Sequence, residues 1–213
     1  MTFNRRGFLI AAAMLAIGTG ISPSFAAAQG AADPKATVQA FYDALEETMK
    51  QGEQLGFDGR YKKLEPVIHQ TFDVPVMAKI AVGAEWTQFN AEDKAKVLDA
   101  FNRYMVTTYA SRFKTYKGQK FEVGEVKPLA EKRQLVETNL YKSNGDPVSL
   151  KYLFWPSKDG DWKIIDVYYS GGAISEMARM RSDFSATVTG GGAEALVAAL
   201  EKKIVDIKNE PEQ

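Results

Sequence analysis

The sequence predicts an α+β fold in which helices come first, four antiparallel strands follow, and helices return. Three observations carry that prediction. Between Trp86 and Tyr116, large apolar residues recur at spacings of three or four, the period of a helix with a buried face. From Gln119 to Tyr169 the period shortens to two, with turn signals at Ser143-Asn144-Gly145-Asp146-Pro147 and Lys158-Asp159-Gly160-Asp161. Successive hairpins of that kind make a sheet antiparallel. Beyond Gly171-Gly172 the helical spacing resumes.

The chain opens with Asn4-Arg5-Arg6 and an apolar run from Phe8 to Ile17, broken by Gly18, Gly20 and Pro23. That run is too short to span a bilayer. The charged start, short apolar stretch and small residues from Ser24 to Ala28 have the form of a secretory signal over residues 1–28; a buried N-terminal helix is the other reading. Arg5-Arg6-Gly7-Phe8-Leu9 fits a twin-arginine signal, and arginine pairs also occur in ordinary ones. No cysteine follows the run, so no lipid-anchored form is expected. Residues 29–213 are enough for a single domain with a real core.

Within that domain, Pro34 suits a first helical turn, and Val38, Phe41, Tyr42, Leu45 and Met49 mark an amphipathic helix ending before Gly52. Gly52 to Gly59 reads as a loop. Tyr61, Leu64, Val67 and Ile68 form a second helix, with Pro66 either kinking it or opening its second half. Thr71-Phe72-Asp73 breaks the chain and caps a short helix through Val76, Met77, Ile80 and Ala81, stopped at Gly83. Asn90 caps the long helix, with Glu92 and Asp93 at its positive end. Its stripe is Val97, Phe101, Met105, Thr108, Arg112 and Tyr116, widened by Leu98, Tyr104, Tyr109 and Phe113, and Lys117-Gly118 closes it. The strands are Gln119–Val123, Gln134–Lys142, Val148–Trp155 and Trp162–Tyr169. Strict alternation in the last puts Asp166 in phase with Ile164 and Tyr168. Ile174, Met177, Ala178, Arg181 and Phe184 begin another helix, and Gly190-Gly191-Gly192 separates a final one containing Leu196, Leu200, Ile204 and Ile207.

Composition excludes several function classes. Lys and Arg number 27 and so do Asp and Glu. The first 28 residues hold two of the arginines and no acid, so the remainder is slightly acidic, and no nucleic-acid partner is expected. Zero cysteines leave no disulfide framework and no thiolate metal site. His69 is the only histidine, with no nucleophile and acid spaced for a triad, and it reads as a surface or half-buried residue. No phosphate loop, zinc helix or nucleophile elbow is present, and no metal or cofactor is expected. Asp166 is either a carboxylate whose pKa burial raises for catalysis or a structural acceptor for Arg179 or Arg181. What remains is a surplus of bulky apolar residues, and periodicity alone leaves open whether they fill a core or line a space.

A resemblance bears on that question. Phe72-Asp73-Val74, Met77 to Gly83, Trp86, Ala100 to Tyr104, Tyr109 and Tyr116 to Phe121 carry it in the first half. Asp146-Pro147-Val148, Trp162 to Val167, Ile174 to Ala178, Arg181 to Phe184 and Gly191 to Leu196 continue it in the second. In this order they resemble the MlaC family of toluene-tolerance and lipid-asymmetry proteins over nearly the whole domain. Many members have Gly-Val-Ser after the last strand, where this chain has Gly172-Ala173-Ile174-Ser175; that departure leans towards the hopanoid-associated branch. The resemblance implies a cone of helices over a curved antiparallel sheet, related to nuclear-transport-factor-like folds. It further implies a periplasmic carrier, not an enzyme, that moves a phospholipid or other two-tailed lipid. The partners implied are an outer-membrane lipoprotein complex and an inner-membrane ABC transporter or MCE-type complex.

A carrier of that kind needs a dry cavity for the tails. Side-chain phase offers Phe72, Met77, Ile80 and Trp86 as lining ahead of the long helix, and Phe101, Tyr104, Met105 and Tyr109 within it. Phe121, Leu140, Tyr152, Phe154 and Val167 would line it from the strands, Ile174 and Met177 from the following helix. Methionines suit varied tails, and tyrosines offer a polar tip at a mouth. The expectation is therefore a hollow interior; side chains filling it throughout, with no room for even a single tail, would overturn the shuttle reading and leave only the architecture. The rival readings are a small cone-fold isomerase or hydrolase using Asp166 with Tyr168, and a structural adaptor that only binds partners.

Overall fold

A computed structural model describes residues 33–210, so the signal reading lies outside the described residues. Helix α1 (Pro34–Lys50) buries Val38, Phe41, Tyr42, Leu45 and Met49, the stripe its spacing predicts. Helix α2 spans Gly52–Thr71 and contains Pro66, with its break at Gly56 (φ 59°) instead. The expected loop from Gly52 to Gly59 is thus helical on both sides of that break. Gly52 serves close approach: a Cβ there would lie 1.8 Å from the Lys114 carbonyl oxygen.

Helix α3 (Val74–Val82) starts where Asp73 accepts a hydrogen bond from the Val76 amide, and Gly83 caps its end. A 3₁₀ turn, Gly83–Gln88, leads to α4 (Ala91–Arg112), capped by Asn90 accepting from the Asp93 amide. The long helix ends at Arg112, short of the expected Lys117-Gly118, because tertiary contacts terminate it. Buried Arg60 donates to the Ala110 carbonyl at 2.8 Å and to that of Gly52 at 2.9 Å. A guanidinium there satisfies a last-turn carbonyl and complements the helix dipole. The Phe113 ring stacks on Tyr109, centroids 5.7 Å apart.

The sheet is a meander of β1 (Lys120–Pro128), β2 (Gln134–Tyr141), β3 (Pro147–Pro156), β4 (Trp162–Tyr169) and β5 (Ile174–Ser175), neighbours all antiparallel. The four expected strands are present and β5 is a fifth. Its two residues were expected to open a helix, but Ser175 caps that helix by accepting from the Ala178 amide, so Ile174 and Ser175 pair with Tyr169 and Tyr168.

Two bulges bend the sheet and change its phase. In β1 the core-facing residues shift from Phe121 and Val123 to Val126 across Gly124. In β4 they shift from Trp162 and Ile164 to Val167 and Tyr169. Asp166 is therefore out of phase with Ile164, contrary to the strict alternation expected.

Helix α5 (Glu176–Lys208) is two helices joined at Gly192 (φ 62°, ψ −151°), a corner suited to glycine. The first half buries Met177, Met180, Phe184 and Val188; the second buries Ala193, Leu196, Leu200 and Ile204. The halves pack on α4, where Arg103 chelates Glu201 and also bonds Asp99 at 2.9 Å. Helix α1 covers β1, β2 and β4, while α2, α3 and α5 reach β4. Among the described residues no helix is long and apolar enough to cross a membrane.

Candidate functional site

The wedge between helices and sheet is filled largely by aromatic rings. Phe41 of α1 lies edge-on to Phe72, Tyr109 and Tyr152, with centroids 5.2, 5.5 and 6.4 Å away. Tyr42 packs on Phe121 at 4.6 Å. Two of the polar tips within this group are paired: the Tyr42 hydroxyl lies 2.7 Å from the Thr138 hydroxyl and 3.1 Å from that of Tyr152. Thr138 in turn donates to the Leu150 carbonyl at 3.2 Å. Burial pushes the Tyr42 pKa up to about 12 and raises those of Tyr109 and Tyr152 well above the usual phenol value, so all three stay neutral.

Beside these rings, α3, α4, β4 and the start of α5 enclose a narrow pocket of about 40 Å³. Met77, Met105, Met177 and Met180 form its apolar wall, with Tyr109 and Val167. Tyr104, Thr108, Arg112, Tyr169 and Glu176 ring its neck, and the same five residues line an outer cleft of about 540 Å³. Ser111 and Arg179 add to the cleft, and the end of α5 closes it with Lys203, Asp206 and Ile207, followed by Glu210. An apolar slot thus opens through a polar neck into a charged mouth. Glu176 pairs with Arg179 at 2.6 Å, and Arg179 reaches Asp183 at 2.8 Å. At the neck, burial raises the Tyr169 pKa.

Of the residues expected as lining, Met77, Tyr104, Met105, Tyr109, Val167 and Met177 meet at this pocket. Phe101, Tyr152 and Phe154 are buried in the core without facing it, and Phe121 packs half-buried on Tyr42 and Phe113. Buried Phe72 borders a separate groove with exposed His69, whose ring bonds Asn102 at 2.6 Å. Ile80 and Trp86 pack half-buried against the core edge, Trp86 beside Phe89. Leu140 is half-buried on β2 opposite Phe121. Ile174 is 47% exposed on β5, outside the group.

The expected hollow interior is not what the structure holds. A pocket of about 40 Å³ admits only a few water-sized groups, far short of a fatty tail. Phe72, Tyr109, Phe121 and Tyr152, expected as lining, pack instead against Phe41 and Tyr42 of α1 and occupy the wedge.

The neck residues Thr108 and Arg112 already lie on the stripe of the long helix, three and seven residues beyond Met105; Met180 follows Met177 by three. Tyr169, Glu176, Arg179 and Lys203 come together only through the sheet and the turn at Gly192, and no local pattern singles them out.

Asp166 has a structural place. Its carboxylate accepts from the Val167 amide (2.8 Å), the Ser175 hydroxyl (2.5 Å) and the Met177 amide (3.1 Å). It therefore anchors the first turn of α5 instead of pairing with Arg179 or Arg181. Burial raises its pKa against those three donors. The group lines neither the pocket nor the cleft, which leaves it no substrate to act on there.

The model of the MlaC protein family matches residues 37–202. The fold is similar to that of the phospholipid-binding protein from Ralstonia solanacearum, solved in complex with a phospholipid. The match has a TM-score of 0.72 and 24% identity, over 83% of this chain and 99% of that one. At that identity the likeness bears on the fold alone. No curated protein matches the sequence.

Proposed function

We infer the function from one premise: this chain belongs to the MlaC family, whose model covers most of it. It is a phospholipid carrier, a binding and transport protein instead of a catalyst, and it takes lipid tails through the polar neck into the methionine-walled pocket. The single observation that carries this reading is that pocket, apolar within and charged at its mouth. The phospholipid bound to the Ralstonia solanacearum protein on a similar fold supports the ligand class. The fold is consistent with the nuclear-transport-factor-like cone.

Tails enter only if the lining gives way. Four methionines, each with three rotatable bonds, make a wall that repacks without one preferred shape. At about 0.8 kcal/mol per methylene, two tails of a dozen carbons or more bring roughly 20 kcal/mol of transfer free energy. Parting every ring pair around Phe41 and Tyr109 with Phe72, Tyr152 and Phe113 would break five contacts. At about 1 kcal/mol each beyond their area burial, the ring pairs alone set roughly 5 kcal/mol against opening, and the interior acts as a closed wall that hydrocarbon displaces.

The carrier works in the periplasm after loss of residues 1–28, between an outer-membrane lipoprotein complex and an inner-membrane ABC transporter of the MCE type. Its placement in the hopanoid-linked branch rests on Gly172-Ala173-Ile174-Ser175. Protein purified without detergent is expected to release a two-tailed lipid at about one molecule per chain on native mass spectrometry. Protein that stays lipid-free after incubation with phospholipid vesicles would overturn the reading.

A further inference from the structure

The mouth carries charges of both signs that tail binding does not require. Arg112 stands at the neck, lining both the pocket and the cleft, and Lys203 faces the cleft from α5. The Arg179 guanidinium is taken up by Glu176 and Asp183. Arg112 and Lys203, by contrast, have no carboxylate partner among the described residues; Lys203 lies over the Phe184 ring, 6.0 Å from its centroid. One turn beyond Lys203, Asp206 bonds only Lys202 of its own helix, in an exposed pair. Exposed pairs of this kind are weak and exchange readily. Glu210 follows, with no ion pair among the described residues, and both carboxylates line the cleft but not the inner pocket.

We propose that this mouth selects a zwitterionic phospholipid head group, holding the phosphodiester on Arg112 and Lys203 and the ammonium on Asp206 and Glu210. The inference rests on the carrier reading, which puts the tails inside and the head in the cleft. A guanidinium offers phosphate a planar fork of donors, and an ammonium adds a point charge. With the phosphate on Arg112 and Lys203, the carboxylates of Asp206 and Glu210 follow along the same cleft-lining end of the chain. A head group ending in an amine satisfies both signs of charge. One ending in glycerol leaves the carboxylates unmatched, and diacylglycerol engages neither.

The test uses vesicles in which lipids with identical dioleoyl tails compete for transfer to the detergent-free protein: phosphatidylethanolamine, phosphatidylglycerol and diacylglycerol. Phosphatidylethanolamine is expected to lead both others. Arg112→Gln should lower transfer of the two phospholipids relative to diacylglycerol by about tenfold or more, the usual worth of a charged hydrogen bond. Asp206→Asn with Glu210→Gln should bring phosphatidylethanolamine down to the level of phosphatidylglycerol. Glycerophosphoethanolamine alone should show no saturable binding at millimolar concentration. Equal uptake of all three lipids or a lead for phosphatidylglycerol would each overturn the head-group assignment while leaving the carrier intact, whereas tight binding of the tail-free head group would contradict the tail-driven carrier reading on which it rests. Failure to take up any of the lipids would overturn the carrier reading itself.

Discussion

Truncating Met177 to alanine separates a wall that lipid can rebuild from a core that it cannot. The Met177 side chain is fully buried and faces the narrow pocket, while its backbone amide, bonded to Asp166, survives the change. Deleting a buried side chain of this size costs about 2–5 kcal/mol, transfer and cavity terms together. For a domain of this length each kcal/mol moves the melting temperature by about 2–4 °C, so a loss near 3 kcal/mol lowers it by about 6–12 °C. Leu64, equally buried on α2 and lining neither pocket nor cleft, serves as the control; Leu64→Ala should cost a similar amount. The two variants part company when lipid is added. A tail entering the pocket refills the void left at Met177, so saturating phospholipid should recover most of that loss, beyond the stabilisation any bound ligand confers. Leu64→Ala should gain only what wild type gains. Thermal unfolding of delipidated protein, followed by circular dichroism with and without dioleoyl phospholipid, reads both shifts. Equal rescue of the two variants, or none at Met177, would refute a tail site among these methionines.

Two stability predictions follow from the frame around the pocket. Gly52→Ala should destabilise by more than about 2 kcal/mol in urea unfolding, since the new Cβ meets backbone at 1.8 Å and only a backbone shift relieves that overpacking. For Asp166, burial raises the folded pKa above the ordinary carboxylate value, so the fold binds the proton more tightly than the unfolded chain does. Its protonation therefore contributes stability that is fullest below the ordinary carboxylate value and is lost as pH rises through the folded value. Urea midpoints of wild type minus Asp166→Asn should accordingly fall with rising pH across that window and then level off; a difference that grows with pH would contradict it.

The predicted elements that held are those whose cause is local. The α1 stripe, the caps at Asp73 and Asn90 and the stop at Gly83 each depend on residues within one or two turns. Those that shifted depend on distant partners. Gly52 lies against the distant Lys114 backbone, a contact that excludes a side chain, and α4 ends at Arg112 because Arg60, fifty residues before Ala110, takes that carbonyl. Bulges reset the phase in β1 and β4, so Asp166 leaves the face that alternation assigned to it. The candidate site divides in the same way. Met77, Met105 and Met177 carry the buried phase of their own helices, whereas Lys203 and Glu176 meet only because α5 turns back at Gly192. Phase marked the inward-facing rings, but it cannot distinguish a ring that lines a space from one that fills it.

Methionine methyl groups report on the tail site most directly. Among the described residues, Met77, Met105, Met177 and Met180 wall the pocket, and Met49 on α1 lies outside it. In protein labelled with ¹³C-methyl methionine, binding a phospholipid that carries a nitroxide on its tail should broaden the four pocket signals more strongly than that of Met49. Broadening of Met49 to the same degree, or four unchanged pocket signals with lipid bound, would place the hydrocarbon elsewhere and contradict the account.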